Sequence, residues 1–176
     1  MIFTALELAG VYLIDVEPHI DDRGSYARSW SAREFQMHGL NHQVVECGIS
    51  QNPRRGTMRG LHLQAAPHGQ AKLVRCSRGA IYDVVIDVRA ESPTYCRWIA
   101  VDLSAERGSL LYIPEGCAHG FQTLADGTEV LYQMSAYHHP EAELGIRWND
   151  PCFAIPWPVA DVLISPKDRS HRDFQR

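Results

Sequence analysis

Ala80-Ile81-Tyr82-Asp83-Val84-Val85-Ile86-Asp87-Val88-Arg89 is the stretch that decides the fold class. A strand has a side-chain period of two. Ile81, Asp83, Val85 and Asp87 therefore share one face, and Tyr82, Val84, Ile86 and Val88 share the other. The second set is expected to pack against another sheet. The first set is mixed. It suits the inward polar face of a small β-barrel, where a ligand cavity lies, and equally an exposed face carrying two acids. Short runs of the same kind recur along the chain, broken by Gly, Pro and Asp: Val11-Ile14, Ser25-Trp30, His42-Ser50, Thr57-Gln64, Ala71-Ser77, Tyr95-Asp102, Ser109-Ile113, Gly120-Thr123, Glu129-Ser135 and Gly145-Trp148. Many short strands with frequent turn signals predict an all-β sandwich or barrel. One helix is expected over Ala32-His38, capped by Ser31 and carrying weak apolar periodicity through Phe35 and Leu40. A parallel α/β fold would need long helices between strands, and none is offered.

The 176 residues suit one domain, residues 1–176, long enough to bury a core. Hydrophobic residues at 45% and charged residues at 22% are ordinary globular values, which excludes disorder and a collagen-like fibre. Seventeen basic against 21 acidic side chains give a net charge of −4, so the global basic surface of a nucleic-acid binder is missing. A local basic pocket for a small anion remains open. No apolar run approaches the roughly 18 residues of a membrane span, and the start Met1-Ile2-Phe3-Thr4-Ala5-Leu6-Glu7 makes a poor signal peptide. The five cysteines are scattered without a CxxC pair. Reduced thiols in a cytoplasm are expected rather than a disulfide framework or zinc site.

Three regions carry candidate chemistry. Arg54-Arg55-Gly56-Thr57-Met58-Arg59-Gly60-Leu61-His62-Leu63-Gln64 gathers arginines and a histidine, and Lys72 follows in the next predicted strand. Arginine forks suit phosphate oxygens, lysine is a movable point charge, and histidine moves protons near neutral pH. A strand with His62 beside one with Lys72 would hold a base next to a cationic stabiliser; isolated His and Lys are also common as surface groups. The second region is Pro114-Glu115-Gly116-Cys117-Ala118-His119, whose Pro-x-Gly-x-x-His spacing resembles the second half of the cupin signature. The first half in metal cupins is His-x-His followed by Glu. Here it reads His62-Leu63-Gln64, with Lys72 following, which removes ligands and adds a repelling charge. A metal-dependent cupin oxygenase is therefore disfavoured, and no metal ligands or cofactor are expected. The third region is the tail. Trp148 and Trp157 read as packing residues, and Ser165-Pro166-Lys167-Asp168 would return an aspartate to the core. If Asp168 met His62, it would fix the imidazole tautomer; by spacing alone it reads as a surface acid.

These pieces, in order, resemble the dTDP-4-dehydrorhamnose 3,5-epimerase family from about Val11 to Asp168: Asp22-Arg23-Gly24, Arg59-Gly60-Leu61-His62-x-Gln64, Lys72-Leu73-Val74, Asp83-x-x-x-Asp87-x-Arg89, Ser92-Pro93-Thr94, Ile113-Pro114-x-Gly116-x-Ala118-His119-Gly120-Phe121, Tyr132, Trp148-Asn149-Asp150, Trp157-Pro158 and Ser165-x-Lys167-Asp168. The resemblance implies a metal-free cupin jelly roll with a few short helices. It implies a homodimer with N-terminal exchange, in which Arg23 reaches the neighbouring site. It also implies a nucleotide-diphosphate sugar as substrate. His62 would be the general base, Asp168 its carboxylate partner, Tyr132 the acid on the opposite face of the sugar, and Lys72 the stabiliser of an enolate oxygen. Arg59 and Arg23 would bind the diphosphate with His119 nearby, and Tyr137 would stand beside the sugar.

Two departures from the family pattern touch the nucleotide. Family members carry Gln-x-Asn where this chain has Glu46-Cys47-Gly48, and an aromatic residue and a glutamate where it has Ser25 and Arg28. Glu46 and Arg28 would form a compensating ion pair. The departures leave the proton-transfer set intact and allow another nucleotide, or inversion at one carbon only. A cupin that binds an activated sugar without turnover is the alternative of another class.

Overall fold

The computed structural model describes residues 1–175. The strands are β1 (Ile2–Ala5), β2 (Tyr12–Asp15), β3 (His19–Asp21), β4 (Gly24–Tyr26), β5 (Glu46–Asn52), β6 (Thr57–Gln64), β7 (Lys72–Arg78), β8 (Ala80–Asp87), β9 (Trp98–Ser104), β10 (Leu110–Ile113), β11 (Cys117–Thr123), β12 (Thr128–Met134), β13 (Glu143–Gly145) and β14 (Leu163–Ile164). Helix α1 (Ala32–Met37) follows β4, and α2 (Pro166–Arg169) follows β14. One sheet has the order β1-β2-β10-β7-β12-β5. The second runs β13-β6-β11-β8-β9, with β14 added parallel to β6. β3 and β4 form a hairpin of their own. Neighbours far apart in sequence, such as β2 with β10 and β6 with β11, give the wound topology of a jelly roll.

The β8 run behaves as its alternation requires, with one correction. Ile81 and Val85 face the opposite sheet and pack with Val74, Cys76, Leu111, Ile113, Phe121 and Val130. Tyr82, Val84 and Ile86, expected against another sheet, pack instead on Ile146, Phe153, Ile155 and Trp157. The C-terminal segment thus covers the outer face, and Trp157 Nε1 donates to the Trp148 carbonyl at 2.7 Å to hold it there. Each fully buried aliphatic or aromatic side chain in these layers contributes about 1.5–3 kcal/mol. Asp83 and Asp87 are fully buried, which removes the exposed-face reading. Asp87 is structural: Arg89 clasps it at 2.8 Å, and Ser92 and Thr94 donate to it at 2.5 and 2.6 Å.

Other boundaries shift for local reasons. The strand expected over Tyr95-Asp102 begins only at Trp98, because residues 92–97 form turns around Asp87. The run expected at Ser25-Trp30 ends at Tyr26 as one arm of the β3–β4 hairpin. The run at Gly145-Trp148 is replaced by β13, which pairs with the end of β6. β1 was not foreseen: it is short, mostly exposed and lacks alternation, and its pairing with β2 makes it a strand. Helix α1 forms as expected, with Ser31 Oγ accepting from the Glu34 N–H. All five cysteines are free thiols. Among the described residues, no helix is long and apolar enough to cross a membrane.

Candidate active site

β6 and β11 cross at two glycines. A Cβ on Gly60 would lie 2.6 Å from the His119 carbonyl oxygen, and one on Gly120 would lie 2.6 Å from that of Arg59. Gly60 also takes φ +102°, a region that L side chains avoid. Here the register slips: His119 opposes His62, but Phe121 opposes Arg59, so β6 carries one extra residue. Arg59 and His62 are three apart and would point to opposite faces of a regular strand. The bulge turns both into one cavity.

That cavity, of about 340 Å³, lies between the sheets and is lined by Arg59, His62, His119 and Asp168 on one wall, with Lys72, Tyr132 and Met134 on the other. On the second wall, β7 and β12 are hydrogen-bonded neighbours, with Tyr132 opposite Val74 and Met134 opposite Lys72. Lys72 Nζ reaches the His62 carbonyl oxygen at 3.5 Å. Burial pulls the Lys72 ammonium down to about 8, against the opposing influence of Glu143 and Asp83. Burial, reinforced by the Asp83 charge, pushes the Tyr132 phenol up, so it holds its proton well beyond neutrality.

Asp168 arrives by a chain of local devices. β14 docks parallel to β6 at Thr57 and Met58. Ser165 then caps α2, its Oγ accepting the Asp168 N–H at 3.0 Å, with Pro166 in the first turn. The buried carboxylate accepts from His62 Nε2 at 2.7 Å and from the Gly60 N–H at 3.3 Å. Burial opposes its ionisation, but the His62 bond and these donors outweigh that and hold the carboxyl below its usual range. In the neutral tautomer that donates Nε2–H to Asp168, Nδ1 of His62 carries the lone pair. A second pair faces the same space: His119 Nε2 bonds Asp83 Oδ1 at 2.6 Å, and its ring meets that of Tyr132 edge-on at 6.2 Å.

The predicted residues divide cleanly. His62, Asp168, Tyr132, Lys72, Arg59 and His119 meet in the cavity. Arg23 does not: it is 90% exposed on the β3–β4 turn and pairs with Asp21. Tyr137 is 63% exposed outside the cavity. The expected Glu46–Arg28 pair does not form, because Arg28 is held by Glu34 at 3.0 Å while Glu46 accepts the His138 N–H at 3.0 Å. Gln64 turns away from the cavity: its amide donates to the His68 and Tyr137 carbonyls and accepts the His139 N–H. Sequence reasoning missed Asn52, a buried residue whose Oδ1 accepts from Arg59 Nε at 2.8 Å and aims that guanidinium. It also missed Ser50 and Gln70 in the lining. Nothing local marks these polar residues; strand pairing places Ser50 and Asn52 on β5, and Gln70, in the β6–β7 connection, is held by the bond from its Nε2 to the Ala136 carbonyl at 2.6 Å.

Two facing, mainly antiparallel sheets with inward-directed polar groups define a cupin-type jelly roll, and this interior gathers imidazole–carboxylate pairs, an ammonium and a phenol in one cavity. The family model described as dTDP-4-dehydrorhamnose 3,5-epimerase matches residues 5–176. The chain belongs to that family. A relative of that name from Methanothermobacter thermautotrophicus is 42% identical over 98% of this chain and 94% of its own length. The crystal structure of the Bacillus anthracis enzyme with TDP and PPi bound superposes with a TM-score of 0.94 at 37% identity, covering 98% of each chain. The Legionella pneumophila enzyme in complex with dTDP-4-keto-L-rhamnose gives a TM-score of 0.90 at 34% identity, covering 97% of this chain and 91% of the other.

Proposed function

We propose that the chain, as one domain over residues 1–176, is a cytoplasmic 3,5-epimerase of dTDP-4-dehydro-6-deoxy-D-glucose that uses no cofactor. The observation carrying this reading is the single cavity with the His62–Asp168 pair on one wall and Lys72 with Tyr132 on the other. A C4 ketone acidifies the hydrogens on C3 and C5. His62 Nδ1 takes one of them, and the electron pair moves into the C4 carbonyl to give an enolate. The Lys72 ammonium stabilises that oxygen. The Tyr132 hydroxyl returns a proton to the carbon from the opposite face, which inverts the centre, and solvent then restores both groups. Arg59, aimed by Asn52, binds the diphosphate with His119 beside it. Incubation of dTDP-4-dehydro-6-deoxy-D-glucose in D₂O tests the reading: deuterium is expected at both C3 and C5 of an inverted product. Deuterium at neither carbon would refute it, and CDP, UDP and GDP analogues run in parallel report the nucleotide.

Lys72 must be charged to stabilise the enolate, so activity is lost as pH rises through its ionisation near 8. The expected kcat/KM profile has an alkaline limb at about 8, and Lys72→Arg moves that limb out of range. An unchanged limb in Lys72→Arg would assign it to another group.

The working unit of this proposal is a homodimer. Among the described residues the β3–β4 hairpin pairs with no other strand, and its Ile20 and Tyr26 are 78% and 70% exposed. An isolated hairpin is marginal in water, and a second copy would cover it and place Arg23 at the neighbouring site. Arg28, Glu46 and Tyr137 are assigned no step. Mixing refolded Arg23→Ala and His62→Ala chains is expected to restore activity at low substrate: half of randomly paired dimers then carry one intact site of two, about a quarter of the wild-type sites. Activity no higher than that of the two variants measured apart would place Arg23 in its own chain's site.

A further inference from the structure

His171 is an imidazole that the reaction does not use, set beside one that it does. Its ring lies flat on Gly145, where any β-carbon would overlap it, and meets the His62 ring edge-on at 5.7 Å. Its Nε2 is buried without a hydrogen-bond partner and stands 3.6 Å from Asp168 Oδ1, the oxygen that also receives His62 Nε2. Donor atoms of His62, Asp168 and His171 all lie within 4.8 Å of one another. A tetrahedral ion with bonds of about 2.0–2.2 Å needs donors about 3.4 Å apart. The His171–Asp168 spacing already fits, and the His62–Asp168 contact of 2.7 Å needs only a small opening.

We propose that His62, Asp168 and His171 form an inhibitory site for a divalent d-block cation such as Zn²⁺. Two imidazoles and one carboxylate are a ligand set such ions favour over Mg²⁺ or Ca²⁺. The Asp168 carboxylate supplies one negative charge, and Glu143 offsets part of the Lys72 repulsion. The consequence, which rests on the proposed epimerase reading, is a tautomer switch. Zn²⁺ takes the Nε2 lone pair of His62, and the proton formerly on Nε2 passes through solvent to Nδ1. The imidazole stays neutral overall, but the nitrogen that must accept the sugar proton now carries one. The base is silenced without blocking the nucleotide end of the cavity.

A second imidazole cluster, His68, His139 and Glu141, would also take such ions, so the test is run in a His68→Ala/His139→Ala background. Co²⁺ is titrated into this metal-free protein without substrate, so chelation by a diphosphate does not enter. The visible d–d absorption of low-coordinate cobalt is expected. Adding His171→Phe, which keeps a ring on Gly145 but removes the donor, is expected to abolish it or to weaken binding by at least about tenfold. In turnover assays, half-inhibition by Zn²⁺ moves up by a similar factor in His171→Phe, and a chelator restores the rate. Absence of the cobalt bands, or bands unchanged by His171→Phe, overturns the site. Failure of both proteins to epimerise, with the cobalt result intact, would instead count against the epimerase reading alone.

Discussion

His62→Ala is expected to lower turnover by about 10²–10⁴-fold, or about 3–5 kcal/mol of barrier, and to stop deuterium entering C3 and C5 at the native rate. His62 lines the cavity with a buried carboxylate behind it, whereas His171, on the same carboxylate, does not line that cavity, so proton removal is not expected to pass to a neighbour. His119 cannot substitute while its Nε2 is bound to buried Asp83. The fold is expected to survive, because Leu61 and Leu63, rather than His62, carry the packing of β6. Circular dichroism and the melting temperature check that, while mass spectrometry of the recovered sugar checks the exchange. Deuterium entering at an undiminished rate would remove His62 from the role of base.

Tyr132→Phe separates two events that a simple loss of activity would confuse. Only the hydroxyl is removed; the ring keeps its packing on the core and its edge contact with His119. Formation of the inverted product is expected to fall by about 10²–10⁴-fold. Exchange of the C3 hydrogen with solvent is expected to continue, because His62 can remove a proton and return one to the same face. NMR would therefore show deuterated substrate of unchanged configuration. If exchange and inversion decline together in Tyr132→Phe, the phenol acts in proton removal and the assignment of faces is reversed.

Much of the site was legible because its pieces are local motifs. Pro114-Glu115-Gly116 turns the chain so that His119 follows on β11; Arg59, His62 and Lys72 stand at fixed positions on β6 and β7. Helix α2, which Ser165 caps, is not among the expected elements. Arg28 and Glu46 were paired wrongly because opposite charge does not specify proximity. Glu34, on helix α1, is held near Arg28 by a short connection and takes it first. The packing partner of Tyr82, Val84 and Ile86 was missed for a related reason: alternation says that a face is buried but not what buries it. Here residues 146–157, without regular strand structure, do so.

By itself the amino-acid sequence determined the all-β class, the faces of β8, the helix cap at Ser31 and the inventory of cations and imidazoles, since each depends on a period or a spacing within a few residues. Tertiary structure alone decided that Arg59 and His62 share a face, through the extra residue at the Gly60 crossing. It also decided that Tyr132 stands next to the Lys72 strand and that Asp168 lies 2.7 Å from His62. Such meetings join segments far apart along the chain. They are selected by the joint demand that every strand bury its apolar face and satisfy its backbone hydrogen bonds, a condition that no single segment contains.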